Sequence, residues 1–131
     1  MRVMEDNSGA ERNLAIVLNR DLMFGSRIRH ALAGLGLQAH FAPDTSRFVS
    51  MLEAEGSVAA IGILDMNGAV DWEAISAALT GTVDAPPTLA FGPHVDAESR
   101  RAAKAAGVTR IVSNGQFHSD MAALIDRYRR G

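Results

Sequence analysis

The chain contains no cysteine, which excludes disulfides and thiolate-ligated metal sites. Aromatic residues are only 5% of the 131 residues, against 47% apolar residues in total, so the core must be aliphatic and alanine-rich. No apolar run approaches the roughly 20 residues that span a bilayer, so no membrane association is expected. Neither sign of charge dominates. Thirteen basic and 15 acidic side chains leave a formal net charge of −2, which argues against a general nucleic-acid surface. Internal repeats and low-complexity stretches are missing. No G-x-G-x-x-G follows the first apolar run, which disfavours a dinucleotide site. No G-x-S-x-G elbow supports a serine nucleophile, and no Ser-His-Asp order is evident. Residues 1–12 are polar and acidic and lack the basic start and apolar stretch of a signal peptide. They read as a flexible tail on a cytoplasmic protein whose single domain spans 13–131.

What is present is an alternation. Leu14 to Leu18 is a short apolar run, as in a strand buried on both faces. Phe24, Ile28, Ala31 and Leu35 then recur at helical spacing, and Gly34 and Gly36 can end that helix. Leu37 to Phe41 reads as a second strand, Pro43 to Ser46 as a turn and cap, and Phe48, Val49 and Leu52 as the next helix face. Ala59 to Leu64 is the third strand, and Asp71 can cap a helix carrying Trp72, Ile75 and Leu79. Pro86-Pro87 precedes a fourth strand at Thr88 to Phe91, and Asp96 or Ser99 opens an alanine-rich helix ending at Gly107. Val108 to Val112 is the fifth strand, and Met121, Leu124, Ile125 and Tyr128 mark one last helix. Five such units predict a flavodoxin-like three-layer α/β/α sandwich with five parallel strands in the order 2-1-3-4-5.

Asp65 closes the third run, and Met66-Asn67-Gly68 follows at once. Chemistry in an open α/β sheet sits beyond the carboxyl ends of its strands, so Asp65 is the residue on which function turns. It is either a phosphoacceptor or a structural carboxylate, pairing with Arg20 or closing the turn at Asn67-Gly68. The structural role is favoured, since site carboxylates often belong to ion pairs. The string Phe91-Gly92-Pro93-His94-Val95-Asp96 offers ligand types, and His40 and His118 are candidates for the same sheet end. A metal site needs three or four convergent ligands, whereas a Gly-Pro turn and an Asp cap explain this string more simply. Ser113-Asn114-Gly115-Gln116 reads as a polar loop. Arg127, Arg129 and Arg130 read as a solvated helix end complementing the dipole. Trp72 reads as packing at a helix start, with Met51, Met66 and Met121 scattered along the chain.

The order of elements, Asp65 at the end of strand three and Ala105-Ala106-Gly107-Val108 before strand five together resemble the response-regulator receiver domain, the CheY-like family. The likeness runs from Leu14 to Tyr128. It implies that Asp65 matches the phosphoacceptor and Asn67 the position whose backbone carbonyl helps hold Mg²⁺. It also implies departures. The acidic pair after strand one corresponds to Asn19 and Arg20, with Asp21 one place late. The hydroxyl residue after strand four corresponds to Gly92. The lysine after strand five corresponds to Asn114, and the proline after it to Gly115.

Aspartyl phosphorylation depends on positioning and on charge neutralisation by a metal and cations, and Mg²⁺ wants carboxylate oxygens. The resemblance is therefore to a degenerate receiver, or pseudo-receiver. Arg20 is expected to reach Asp65 and mimic the charge of the missing metal.

The expected function is a stand-alone receiver-like signalling module of two-component type, working by protein–protein contact. It is not expected to be an enzyme or to carry a cofactor. Its partner is expected to be another signalling protein or a second copy. By the same resemblance, the contact face includes Arg100, Lys104, Arg110 and Arg127. Two alternatives stand beside this: a phosphorylatable regulator in which Asp21 and Asp65 hold Mg²⁺, and a small enzyme or ligand-binding domain using the His94 loop.

Overall fold

In the computed structural model, which describes residues 12–131, the apolar runs lie side by side as one parallel sheet. The strands are β1 (Leu14–Leu18), β2 (Gln38–Ala42), β3 (Ala59–Asp65), β4 (Thr88–Gly92) and β5 (Arg110–Ser113), in the order β2-β1-β3-β4-β5. This is the order expected from the alternation of elements. β1, β3 and β4 are buried along their whole length, whereas the edge strands β2 and β5 are partly exposed. The central runs are accordingly unbroken and apolar, while polar Gln38, His40 and Arg110 are confined to the edges. The rest of the expected tail, residues 1–11, lies outside the described residues. Arg12 itself is tied to the domain through Asp84 Oδ2, at 2.6 Å.

Among the described residues, six α-helices cover the sheet: α1 (Leu22–Gly34), α2 (Thr45–Glu55), α3 (Trp72–Gly81), α4 (Ala97–Ala105), α5 (Asn114–Ser119) and α6 (Met121–Tyr128). Two apolar layers result. Phe48, Leu52, Ile75 and Ala103 of α2, α3 and α4 pack on one face of the sheet. Ile28, Leu32, Phe117 and Ile125 of α1, α5 and α6 pack on the other. Trp72 is half-buried against the first layer, as expected for a helix start, and Met66 is buried within it.

Helix starts are set by short polar side chains. Asp21, Asp44, Asp71, Asp96 and Ser113 each accept a backbone N–H from the first turn of the helix that follows. Each such cap contributes about 1 kcal/mol. Gly36 and Gly107, at φ +76° and +101°, reverse the chain after α1 and α4 in a region that side chains disfavour.

Two segments differ from expectation. Residues 114–116 are not a loop, because the Ser113 hydroxyl accepts from Gln116 N at 3.1 Å and starts α5 there. The last helical stretch is two helices, broken at Asp120, whose φ of −123° leaves the helical region. The break lets Phe117 and Met121 both turn inward.

The arginine-rich end is not a solvated tail either. Arg130 N donates to Ala60 O, and its guanidinium donates to the carbonyls of Gly56, Ala59, Asp84 and Ala85 and to the Asp84 carboxylate. Arg129 reaches Leu35 O at 3.2 Å and pairs with Asp126. Only Arg127 stays exposed, with its guanidinium 5.4 Å from the Tyr128 ring centre.

Candidate functional site

Asp65 is the last residue of β3 and is 9% exposed. The β3–β4 ladder continues one step past it, with Met66 N donating to Phe91 O at 2.8 Å. That step fixes the backbone and aims the carboxylate along the β1 side of the sheet end. Asn19, the first residue after β1, is 8% exposed and is held by its own N–H on Ala42 O.

Three N–H groups close on the carboxylate. Asn19 Nδ2 donates to Oδ2 at 2.9 Å. Asn67 N and Asn67 Nδ2 both donate to Oδ1 at 2.8 Å. The Asn67 amide then pairs reciprocally with Asn114, with Nδ2 on Asn114 Oδ1 at 3.0 Å and Asn114 Nδ2 on Asn67 Oδ1 at 2.8 Å. A buried carboxylate is tolerated only when its hydrogen bonds are made, and here neutral amides make them.

The other expected site residues fall around this core. Arg20 makes no ion pair with Asp65; it donates to Ala69 O at 2.9 Å, and its guanidinium packs over Gly68. The expectation that its charge stands on Asp65 in place of a metal is thus corrected: backbone carbonyl and glycine surface hold it at the rim. Asp21 lines the same depression, but its Oδ1 accepts from Met23 N and Phe24 N as the cap of α1. Gly92 ends β4 beneath Met66, and a Cβ there would lie 3.0 Å from Met66 Cβ and 3.1 Å from Met66 Cε. The space a side chain at position 92 would need is therefore occupied by the Met66 thioether.

The histidines do not converge. His94 is exposed, and Asp96 caps α4 through Ser99 N. That N–H, with the Ser99 side chain, holds the Asp96 carboxyl below its usual range. His40 lies within edge strand β2 and meets Glu55 at 3.0 Å. His118 packs on Phe24, with ring centres 4.3 Å apart, and both of its ring nitrogens are buried without a hydrogen-bond partner. Burial lowers its pKa and so does Arg27, while Asp65 opposes the shift. Among the described residues, no group of three potential metal-ligating side chains comes together.

Sequence reasoning missed two features. The Asn67–Asn114 pair bridges strands that are not neighbours in the sheet, so adjacency gives no hint of it. The one available signal is that both amides lie within two residues of a strand end. Met66 looked like one scattered methionine; the adjacent Gly92, with no side chain of its own, is what gives it a seat.

Chemically, the arrangement presents N–H groups to both carboxylate oxygens and an arginine at the rim. A cation approaching Asp65 meets the positive ends of three N–H dipoles, which take up three of the carboxylate's roughly four lone-pair sites. The depression beside it, lined by Asn19, Arg20, Phe24, Asp65 and Asn67 among others, holds about 190 Å³. Small-molecule sites usually begin near roughly 300 Å³.

No protein-family model matches the chain, and no curated protein is similar to it in sequence. Solved structures match it in fold. A response regulator from Hahella chejuensis superposes with a TM-score of 0.74 at 16% identity, covering 88% of this chain and 94% of that one. A response-regulator signal receiver domain from Bermanella marisrubri gives 0.73 at 16% identity, over 90% and 98%. The chemotaxis protein CheY4 of Vibrio cholerae gives 0.71 at 16% identity, over 88% and 97%. The chain therefore has the CheY-like receiver fold, at an identity that speaks for the fold alone.

Proposed function

We propose that the chain is a receiver-like signalling module that acts by docking to another protein, with the aspartyl-phosphate switch dismantled. The observation that carries this reading is the closure of Asp65 by Asn19 and Asn67. Metal-assisted phosphoryl transfer needs oxygen ligands for Mg²⁺ and cations against the phosphoryl oxygens. At the corresponding places here stand an amide, a rim arginine bound to a backbone carbonyl, a glycine under methionine, and a second amide. The depression at Asp65 itself is small, about 190 Å³, and contact with a partner is the activity we assign to this sheet end and its flanks.

By the resemblance to receivers, the docking edge we assign lies on α4, β5 and α6. Arg110 on the edge strand, Lys104 in the last turn of α4 and Arg127 on α6 are exposed there, and Arg100 is half-buried beside them. This set is basic and suits an acidic surface on another signalling protein or on a second copy.

The test is incubation of the purified chain with acetyl phosphate, or beryllofluoride, and Mg²⁺. Mass spectrometry is expected to find Asp65 unmodified, and amide NMR shifts around Asn67 are expected to stay put. Stoichiometric, Mg²⁺-dependent modification of Asp65 would replace this reading with that of a working regulator.

A further inference from the structure

Five asparagines occur in the chain, and only Asn67 and Asn114 are followed by glycine. Both lie in the amide cluster at Asp65. An asparagine followed by glycine can cyclise, because the glycine nitrogen has no neighbouring Cβ to hinder its approach to the asparagine Cγ. The two sites differ in setting. Asn114 begins helix α5, whose backbone holds it in one conformation. Asn67 and Gly68 are exposed and sit in the turn after β3. Among the described residues, Gly68 N has no hydrogen-bond acceptor.

We propose that Asn67 is a self-modification site, converting through a succinimide to aspartate and isoaspartate within the folded protein. In the step, Gly68 N loses its proton and bonds to Asn67 Cγ. The Cγ–Nδ2 bond then breaks, and the nitrogen leaves as ammonia carrying the transferred proton. Water opens the ring at either carbonyl. No oxidant or cofactor is needed.

Three neighbours favour the step. Asn114 Nδ2 donates to Asn67 Oδ1 at 2.8 Å, where the oxyanion of the tetrahedral intermediate forms. The Arg20 guanidinium packs directly over Gly68, and its charge favours the anionic glycine nitrogen. Asp65 Oδ1, which already accepts from Asn67 Nδ2 at 2.8 Å, holds the leaving nitrogen in place. Conversion removes the side-chain N–H groups that Asn67 Nδ2 presents to Asp65 and Asn114 and sets a second carboxylate beside the first. The closure of the site is then lost. The modification itself does not depend on the signalling reading.

The test incubates the native chain at mildly alkaline pH and maps its peptides by mass spectrometry. In parallel run the same chain in urea and the variants Gly68→Ala and Arg20→Gln, with circular dichroism confirming their fold. The expected result is amide-to-acid conversion at residue 67, with both isomers present, at least as fast in the native chain as in urea. Asn114 stays intact, conversion is lost in Gly68→Ala, and it slows in Arg20→Gln. The separated modified form melts below the unmodified one. Conversion in urea but not in the native chain would overturn the proposal, as would conversion at Asn114 first.

Discussion

Replacing Asp65 by Asn preserves the shape of the side chain and removes one acceptor oxygen. Three N–H groups converge on the two oxygens of the native carboxylate, so whichever way the new amide turns, an NH₂ faces a donor. A buried group left unsatisfied costs about 1–3 kcal/mol. Asp65→Asn is therefore expected to lower the unfolding free energy by that amount, read as a lower urea midpoint with an unchanged slope. A variant as stable as the parent would show that the amide closure contributes nothing. Gly92 tests the opposite side of the site. Restoring a hydroxyl with Gly92→Ser forces Cβ against Met66 at 3.0 Å, an overpacking expected to cost about 1–3 kcal/mol. Adding Met66→Ala should make the pair less than additive in a double-mutant cycle. Strict additivity would mean that the two residues do not share the space.

The helix α5 carries the one histidine whose setting is enclosed. Both His118 ring nitrogens are buried and unpartnered, its ring lies on Phe24 and near Phe91 and Phe117, and Arg27 adds to the burial in lowering its pKa, against the pull of Asp65. The unfolded chain takes up a proton near the ordinary value of 6.5, whereas the folded chain resists it until lower pH. Between those two points the unfolded state binds more protons, so stability falls as pH falls through that window. Urea titrations on either side of it should show the loss, and His118→Leu should remove the His118 contribution to it. At the other end of the fold, Arg130 ties the chain end to four carbonyls and one carboxylate. Arg130→Ala is expected to cost about 2 kcal/mol and to raise hydrogen exchange at Arg130 N, which donates to Ala60 O. The sequence concealed this latch. Cations near a helix C-terminus look alike whether they face water or fold back, and the acceptors lie 45 to 74 residues away in the chain.

For the molecule as a whole, element order was legible because period and length separate buried strands from amphipathic helices. Leu14–Leu18, the β3 run ending at Asp65 and the aspartate caps all appear in the structure. The components of the site were legible too, since Asn19, Asp65, Asn67, Gly92 and Asn114 all follow or end strands of one parallel sheet. Their bonding was not. Whether Arg20 reaches a carboxylate or a carbonyl is decided by a turn of a few residues, and spacing does not encode it. The closed site also makes a global prediction: adding Mg²⁺ should leave the melting temperature unchanged. An ion binding only the native state would raise it in proportion to RT ln(1 + [L]/Kd), and a concentration-dependent rise would reveal a cation site.

Arg12 and Arg130 meet on Asp84, a residue held at φ +56°. The described polypeptide thus enters and departs at a single pole, beneath the sheet, while Asp65 occupies the opposite one. A fluorophore attached on this pole, beside Asp84, would leave the amide-capped surface facing outward. A labelled sample could then be probed there by prospective binders without the dye in the way.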